Sequence, residues 1–126
     1  MATVLLIEDE PSVRLIVRVN FELHGLDVLE AGDGQTGLQL AREAHPDVIV
    51  LDVMLPEVDG WQIAAELLHD PRTRQIPIVF VTAHADSSTR ERALAMGAAD
   101  YVTKPFDPIA LASRIEEILM SSGGGE

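Results

Sequence analysis

The stretch Val48-Ile49-Val50-Leu51-Asp52, followed by Val53-Met54-Leu55-Pro56 and Asp59-Gly60, decides the fold. Four consecutive apolar residues, three of them β-branched, read as a strand covered on both faces, the kind found inside a parallel sheet. The run closes on a carboxylate. An acid at that point has no packing role; it faces the crevice at the carboxyl ends of the strands, where open α/β sheets keep their ligands. Other runs end alike. Val4-Leu5-Leu6-Ile7 leads into Glu8-Asp9-Glu10, and Ile78-Val79-Phe80-Val81 leads into Thr82. Lys104, the only lysine, follows a fourth run, Tyr101-Val102-Thr103. Acids, a hydroxyl and one ammonium at strand ends point to a site for a metal ion and a phosphoryl group.

Working outward, strand-like runs alternate with helical patterns five times, which predicts an α/β domain with a parallel sheet. Strands are expected near 3–8, 26–30, 47–52, 76–82 and 100–103, and helices near 11–24, 34–44, 60–69, 88–96 and 108–120. His24-Gly25 ends the first helix, with glycine free to take a left-handed cap. Pro11 and Pro108 suit first-turn positions, Asp107 is placed to cap the last helix, and Ser88 with Glu91 has capping-box spacing. Leu111, Ile115, Ile118 and Leu119 share one face of the last helix. Runs one, three and four are almost wholly apolar, whereas Leu26–Glu30 and Tyr101–Thr103 are mixed, as edge strands are. The strand order is therefore 2-1-3-4-5, with five helices on both faces and right-handed crossovers. In that order Asp9 and Asp52 meet across the switch point between strands one and three.

The composition excludes several classes. A chain of 126 residues, 47% apolar, forms one domain with a real core. It has no cysteine, so disulfides and thiolate metal sites are out. A net charge of −12 argues against nucleic-acid binding by this domain itself. No apolar run has the length of a membrane span, and Glu8 interrupts the N-terminal apolar stretch too early for a signal peptide, so a cytoplasmic protein without membrane contact is expected. Residues 1–120 form the domain, and Ser121-Ser122-Gly123-Gly124-Gly125-Glu126 has the composition of a flexible tail.

The acidic cluster sets the chemistry. Two carboxylates about 4 Å apart repel by roughly 4 kcal/mol at an effective dielectric near 20, so Glu8, Asp9 and Asp52 together trap a proton or bind a cation. Oxygen donors favour a hard ion, and Mg²⁺ suits a site with few protein ligands. Asp52 is then the candidate nucleophile, becoming an aspartyl phosphate, with Lys104 and Thr82 contacting phosphoryl oxygens. Taken singly, Thr82, Lys104 and Tyr101 are an ordinary strand end, a surface charge and an edge-strand packing residue; only the joint pattern carries weight. Glu10 belongs to the first helical turn. The histidines show no metal-ligand spacing: His24 and His69 complement helix C-termini, and His84 borders the site by sequence proximity alone. Trp61 is expected to pack in the third helix or at its surface.

These pieces resemble the receiver domain of a bacterial two-component response regulator, a CheY-like, flavodoxin-like fold. The matching segments are Leu5–Glu10, Pro46–Asp52, Met54-Leu55-Pro56 with Asp59-Gly60, Val81-Thr82-Ala83, and Gly97-Ala98 through Tyr101 to Lys104-Pro105-Phe106, in order across nearly the whole chain. The resemblance implies that Asp52 accepts phosphate from a sensor histidine kinase or phosphotransfer protein. Asp9 and Asp52 would bind Mg²⁺ (with Mn²⁺ as a substitute), Glu8 would help through water, and the Met54 carbonyl would complete the ligands. Thr82 and Lys104 would contact the phosphoryl group, and small Ala83 would leave it room. Tyr101 would be the switch aromatic, turning inward as Thr82 moves. The Lys104–Pro105 bond would be cis. Glu8 departs from the aspartate of many members. The surface near residues 86–120, comprising the fourth helix, fifth strand and fifth helix, would shift on phosphorylation and dimerise or contact a partner. The output would be a domain outside this chain, or the protein would act alone as a phosphorelay intermediate. An enzyme is not expected, beyond self-dephosphorylation.

Two other classes share features of the pattern. A Mg²⁺-dependent phosphatase with an aspartate nucleophile wants a second acid two residues on, where this chain has Met54. A flavin module wants Ser, Thr and Gly after the first strand, where this chain has Glu8-Asp9-Glu10.

Overall fold

The computed structural model describes residues 2–55, 59–83 and 86–124, the last three as backbone. Pro56, His84 and the end of the tail at Gly125-Glu126 lie outside the described residues. The elements alternate throughout: β1 (Thr3–Ile7), α1 (Pro11–Leu23), β2 (Asp27–Ala31), α2 (Gly34–Ala44), β3 (Val48–Asp52), α3 (Gly60–His69), β4 (Ile78–Thr82), α4 (Ser87–Ala95), β5 (Asp100–Thr103) and α5 (Pro108–Gly124). All strand pairings are parallel and the order is β2-β1-β3-β4-β5. No helix among the described residues is long and apolar enough to cross a membrane.

The sheet divides the core in two because successive side chains point to opposite faces. Leu5, Ile7, Ile49, Leu51, Ile78 and Phe80 face α2, α3 and α4. Val4, Leu6, Val48, Val50, Val79 and Val81 face α1 and α5. β3 and β4 are buried at every position, whereas the edge strand β2 is mostly half-exposed. On α5, Leu111, Ile115 and Ile118 are buried and Leu119 packs beside them, the expected stripe.

Most punctuation follows the sequence. Gly25 takes φ +79° after α1, and Asp107 caps α5 by accepting from the Ile109 N–H at 2.9 Å. His24 and His69 each set Nδ1 against a carbonyl four residues back, at 3.0 and 2.7 Å. The third helix opens at Gly60 as expected, with Asp59 accepting from the Trp61 N–H at 2.9 Å. Two details differ from expectation. The cap of α4 is Asp86, which accepts from the Thr89 N–H at 3.2 Å, so Ser88 and Glu91 form no capping box; Ser88 instead donates to Asp86 from inside the first turn. A carboxylate two residues earlier offers two acceptor oxygens and better matches the helix dipole. Finally, α5 continues to Gly124, past the expected domain end at 120, so residues 121–124 extend the helix where a flexible tail was predicted. No proline interrupts them, and elongating an existing helix avoids the cost of nucleating a new one.

Candidate functional site

β1, β3 and β4 end level with one another, Ile7 beside Leu51 and Asp52 beside Val81, so their next residues converge. Asp52 closes β3 and is 3% exposed. Its Oδ1 accepts from the Met54 N–H at 2.8 Å, and its Oδ2 accepts from Lys104 Nζ at 2.8 Å. Glu8 follows β1; its Oε1 lies 2.8 Å from the same ammonium, and its Oε2 accepts from the Glu10 N–H at 3.1 Å. Asp9 is half-buried beside them, and one carboxylate oxygen each from Glu8, Asp9 and Asp52 lies within 4.8 Å of the others. The convergence foreseen from strand ends is thus present, with Lys104 bridging two of the acids.

Backbone geometry aims these groups. Gly60 donates to the Val53 carbonyl, and a Cβ at position 60 would lie 2.4 Å from Val53 Cα and 2.8 Å from the Asp52 carbonyl oxygen. Any larger residue there would push the segment bearing Asp52 out of place. Lys104 leaves β5 with its N–H donating to the Thr82 carbonyl at 2.7 Å, and the Lys104–Pro105 bond is cis. Thr82 ends β4 fully buried, with exposed Ala83 next to it. Tyr101 is 7% exposed and belongs to the apolar cluster beneath α4. The Met54 side chain is exposed and its N–H is committed to Asp52.

The electrostatics are those of a crowded anionic pocket. Burial pushes the Glu8 carboxyl up to about 7, against the opposing pull of Lys104 and the Glu10 N–H. Desolvation works against the Lys104 charge, but hydrogen bonds to Asp52 and Glu8 outweigh it and raise the ammonium to about 12. Removing Lys104 would leave two buried acids facing each other. A cleft of ≈ 430 Å³ opens beside the site, lined by Val13, Ile16 and Val17 of α1 and by Lys104, Pro105 and Phe106.

One contributor went unread in the sequence. Arg14 donates from Nη1 to the carbonyls of Glu8 and Asp9, at 2.8 and 3.1 Å. The available signal was its position: a cation near the N-terminus of a helix opposes the dipole and needs another partner.

The response regulator receiver domain family model matches residues 4–116. The DNA-binding dual master transcriptional regulator RpaA of Synechocystis is 40% identical over 119 residues, covering 94% of this chain and 49% of the relative. The phosphate regulon transcriptional regulatory protein PhoB of Pseudomonas aeruginosa is 36% identical, covering 98% and 54%. Among solved structures, the Francisella response regulator 1452 receiver domain superposes with a TM-score of 0.90 at 28% identity, over 97% of this chain and 99% of that one. The chain belongs to the receiver domains of two-component response regulators. Such a domain is a phosphorylation-activated signalling switch. The chain spans about half the length of the curated relatives it matches.

Proposed function

We propose that Asp52 is the phosphoacceptor and that Glu8, Asp9, Thr82 and Lys104 form its reaction site. The supporting observation is the bridge from Lys104 Nζ to both Asp52 and Glu8, with Asp9 in the same pocket. The all-oxygen donor set fits a hard divalent ion, and half-exposed Asp9 leaves room for its waters. Asp9, Asp52 and the Met54 carbonyl would hold Mg²⁺ or Mn²⁺, with Glu8 acting through water; the ion supplies charge neutralisation at the phosphoryl oxygens.

An Asp52 oxygen forms the new P–O bond while the P–N bond of a donor phosphohistidine breaks, and the leaving imidazole takes a proton from water. Lys104 exchanges its carboxylate partner for a phosphoryl oxygen, and the Thr82 hydroxyl donates to another, beside small Ala83. Nearly two negative charges are thereby added among existing acids. The conformation in which Thr82 and Lys104 best satisfy the added oxygens gains population. Thr82 and Tyr101 transmit this to α4, β5 and α5, the face proposed to dimerise or meet a partner.

The phosphate donor is a histidine kinase or phosphotransfer protein, in the cytoplasm, and the domain has no turnover activity beyond self-dephosphorylation. The names of RpaA and PhoB favour transcriptional control as the output, through a domain outside residues 1–120, over a stand-alone relay.

The test is exposure to acetyl phosphate with Mg²⁺, followed by intact-mass analysis and peptide mapping. One phosphoryl adduct on Asp52, absent from Asp52→Asn, is expected. No adduct, or an equal adduct on Asp52→Asn, contradicts the reading, and steady hydrolysis of phosphate esters would favour the phosphatase class.

A further inference from the structure

The Glu8–Asp9 loop carries two side chains that repel each other and Asp52, yet it joins β1 to α1 through only three residues, Glu8, Asp9 and Glu10. Something must fix its backbone. The Glu8 N–H is taken by the Ala31 carbonyl at 3.0 Å. The Glu8 and Asp9 carbonyls are both taken by one nitrogen, Nη1 of Arg14. The same guanidinium is tied on its other side to Glu30 at the end of β2, Nε to Oε1 at 3.4 Å. Its head lies over Gly32, where a Cβ would come within 3.1 Å of Nη1. Arg14 is therefore clamped between β2 and the acidic loop, with its side chain 21% exposed.

We propose that Arg14 is a positioning residue for the metal site, orienting the Glu8–Asp9 backbone so that both carboxylates point at Asp52. Its chemistry suits the task. The planar fork donates to two carbonyls while a different edge meets a carboxylate, which a lysine ammonium cannot reproduce. Among the described residues it makes no hydrogen bond or ion pair with the Asp9 or Asp52 carboxylate, so it acts through the loop. Its positive charge on the backbone side also offsets the repulsion that would otherwise spread the loop. Glu30, which also accepts from Arg18 Nη1 at 2.6 Å, anchors the clamp to the sheet.

This inference rests on the metal-site reading above and deepens it. The experiment is Mg²⁺ titration of the folded protein, followed by amide shifts of Asp9, Asp52 and Met54, with thermal unfolding recorded separately in chelator. Outer partners of metal ligands are typically worth about 10- to 100-fold in affinity, and Arg14→Ala is expected to raise the Mg²⁺ Kd within that range. Arg14→Lys should fall between parent and Arg14→Ala, and Glu30→Gln should show a smaller rise. Arg42→Ala is the control: it breaks a charged hydrogen bond of 2.9 Å to Asp70, between α2 and the residue after α3, and should leave the Kd unchanged. If Arg14→Ala does not fold, Arg14→Lys and Glu30→Gln carry the test. Kd values within twofold of parent for these variants, or an equal rise in Arg42→Ala, overturn the proposal. A parent that binds no Mg²⁺ overturns the metal-site reading and this proposal with it.

Discussion

α3 and α4 follow the two strands that end in Asp52 and Thr82, yet they are secured very differently. α3 buries Gly60, Ile63, Ala64 and Leu67, and its first residue presses on the backbone of Val53. α4 buries only Ala93 among its described residues. Fully burying a large aliphatic side chain contributes about 1.5–3 kcal/mol, so Ile63 and Leu67 give α3 an anchor that one alanine cannot match. Among the described residues α4 is further tied by its Asp86 cap and by the Arg92 guanidinium 4.4 Å from the Trp61 ring centroid. Elements with few buried apolar contacts open at low free energy, and switching elements are drawn from them. The molecule thus pairs a firm mount for Asp52, the proposed phosphoacceptor, with a lightly held helix at α4.

The comparison is easiest to break by truncation. Ile63→Ala should cost about 2–5 kcal/mol in urea unfolding. Leu94→Ala, at a residue 52% exposed on α4, should stay within about 0.5 kcal/mol. Equal losses would mean that α4 is as firmly seated as α3.

A smaller effect concerns the mount itself. The Glu8 carboxyl is raised by burial to about 7 from an ordinary 4.5, so the folded state binds the extra proton between those values. Stability from this group is present below pH 4.5 and is lost as pH rises through about 7. Discounted for the water that reaches a part-open site, the loss is on the order of 1–2 kcal/mol. The carboxyls of Asp70 and Asp86 are held below their usual range and act only below pH 3.8, outside this window. Melting curves from pH 4.5 to 7.5 should therefore fall more steeply for the parent than for Glu8→Gln. Parallel curves would show that burial does not strain Glu8.

A further small effect sharpens the α4 side. Arg92→Ala should lose about 0.5–1 kcal/mol and shift the emission of Trp61, the sole tryptophan. Unchanged emission would remove the Arg92–Trp61 tie from the account.

Reading the sequence was most informative where one residue type has one use. The apolar runs of β1, β3 and β4 and the mixed edges β2 and β5 determine the strand order, because only strands covered on both faces can be apolar throughout. The acids and lysine at their ends then had to gather. Features that depend on backbone were illegible. Arg14 binds carbonyls, which every residue carries, so only its position near the start of α1 hints at a role and nothing in the sequence names its partners. Gly60 is needed for a close approach to Val53, which its place at the start of a helix does not reveal. His45 takes φ +49° at the end of α2, a left-handed conformation that histidine adopts more readily than most side chains but that nothing in its neighbours requires. At α4, Asp86 and Ser88 are both competent caps, and the carboxylate, better matched to the helix dipole, took the position.

The central claim is that chemistry at Asp52 is carried to α4 and β5 while α2 stays still. Beryllofluoride with Mg²⁺, a stable phosphoryl mimic, tests it through amide shifts of the folded protein. The account predicts large shifts at Asp52, Met54, Thr82, Ala83 and Lys104, continuing through Ser87–Ala95 and Asp100–Thr103, with Gly34–Ala44 unmoved. Shifts confined to residues beside Asp52, or as large in α2 as in α4, would contradict it.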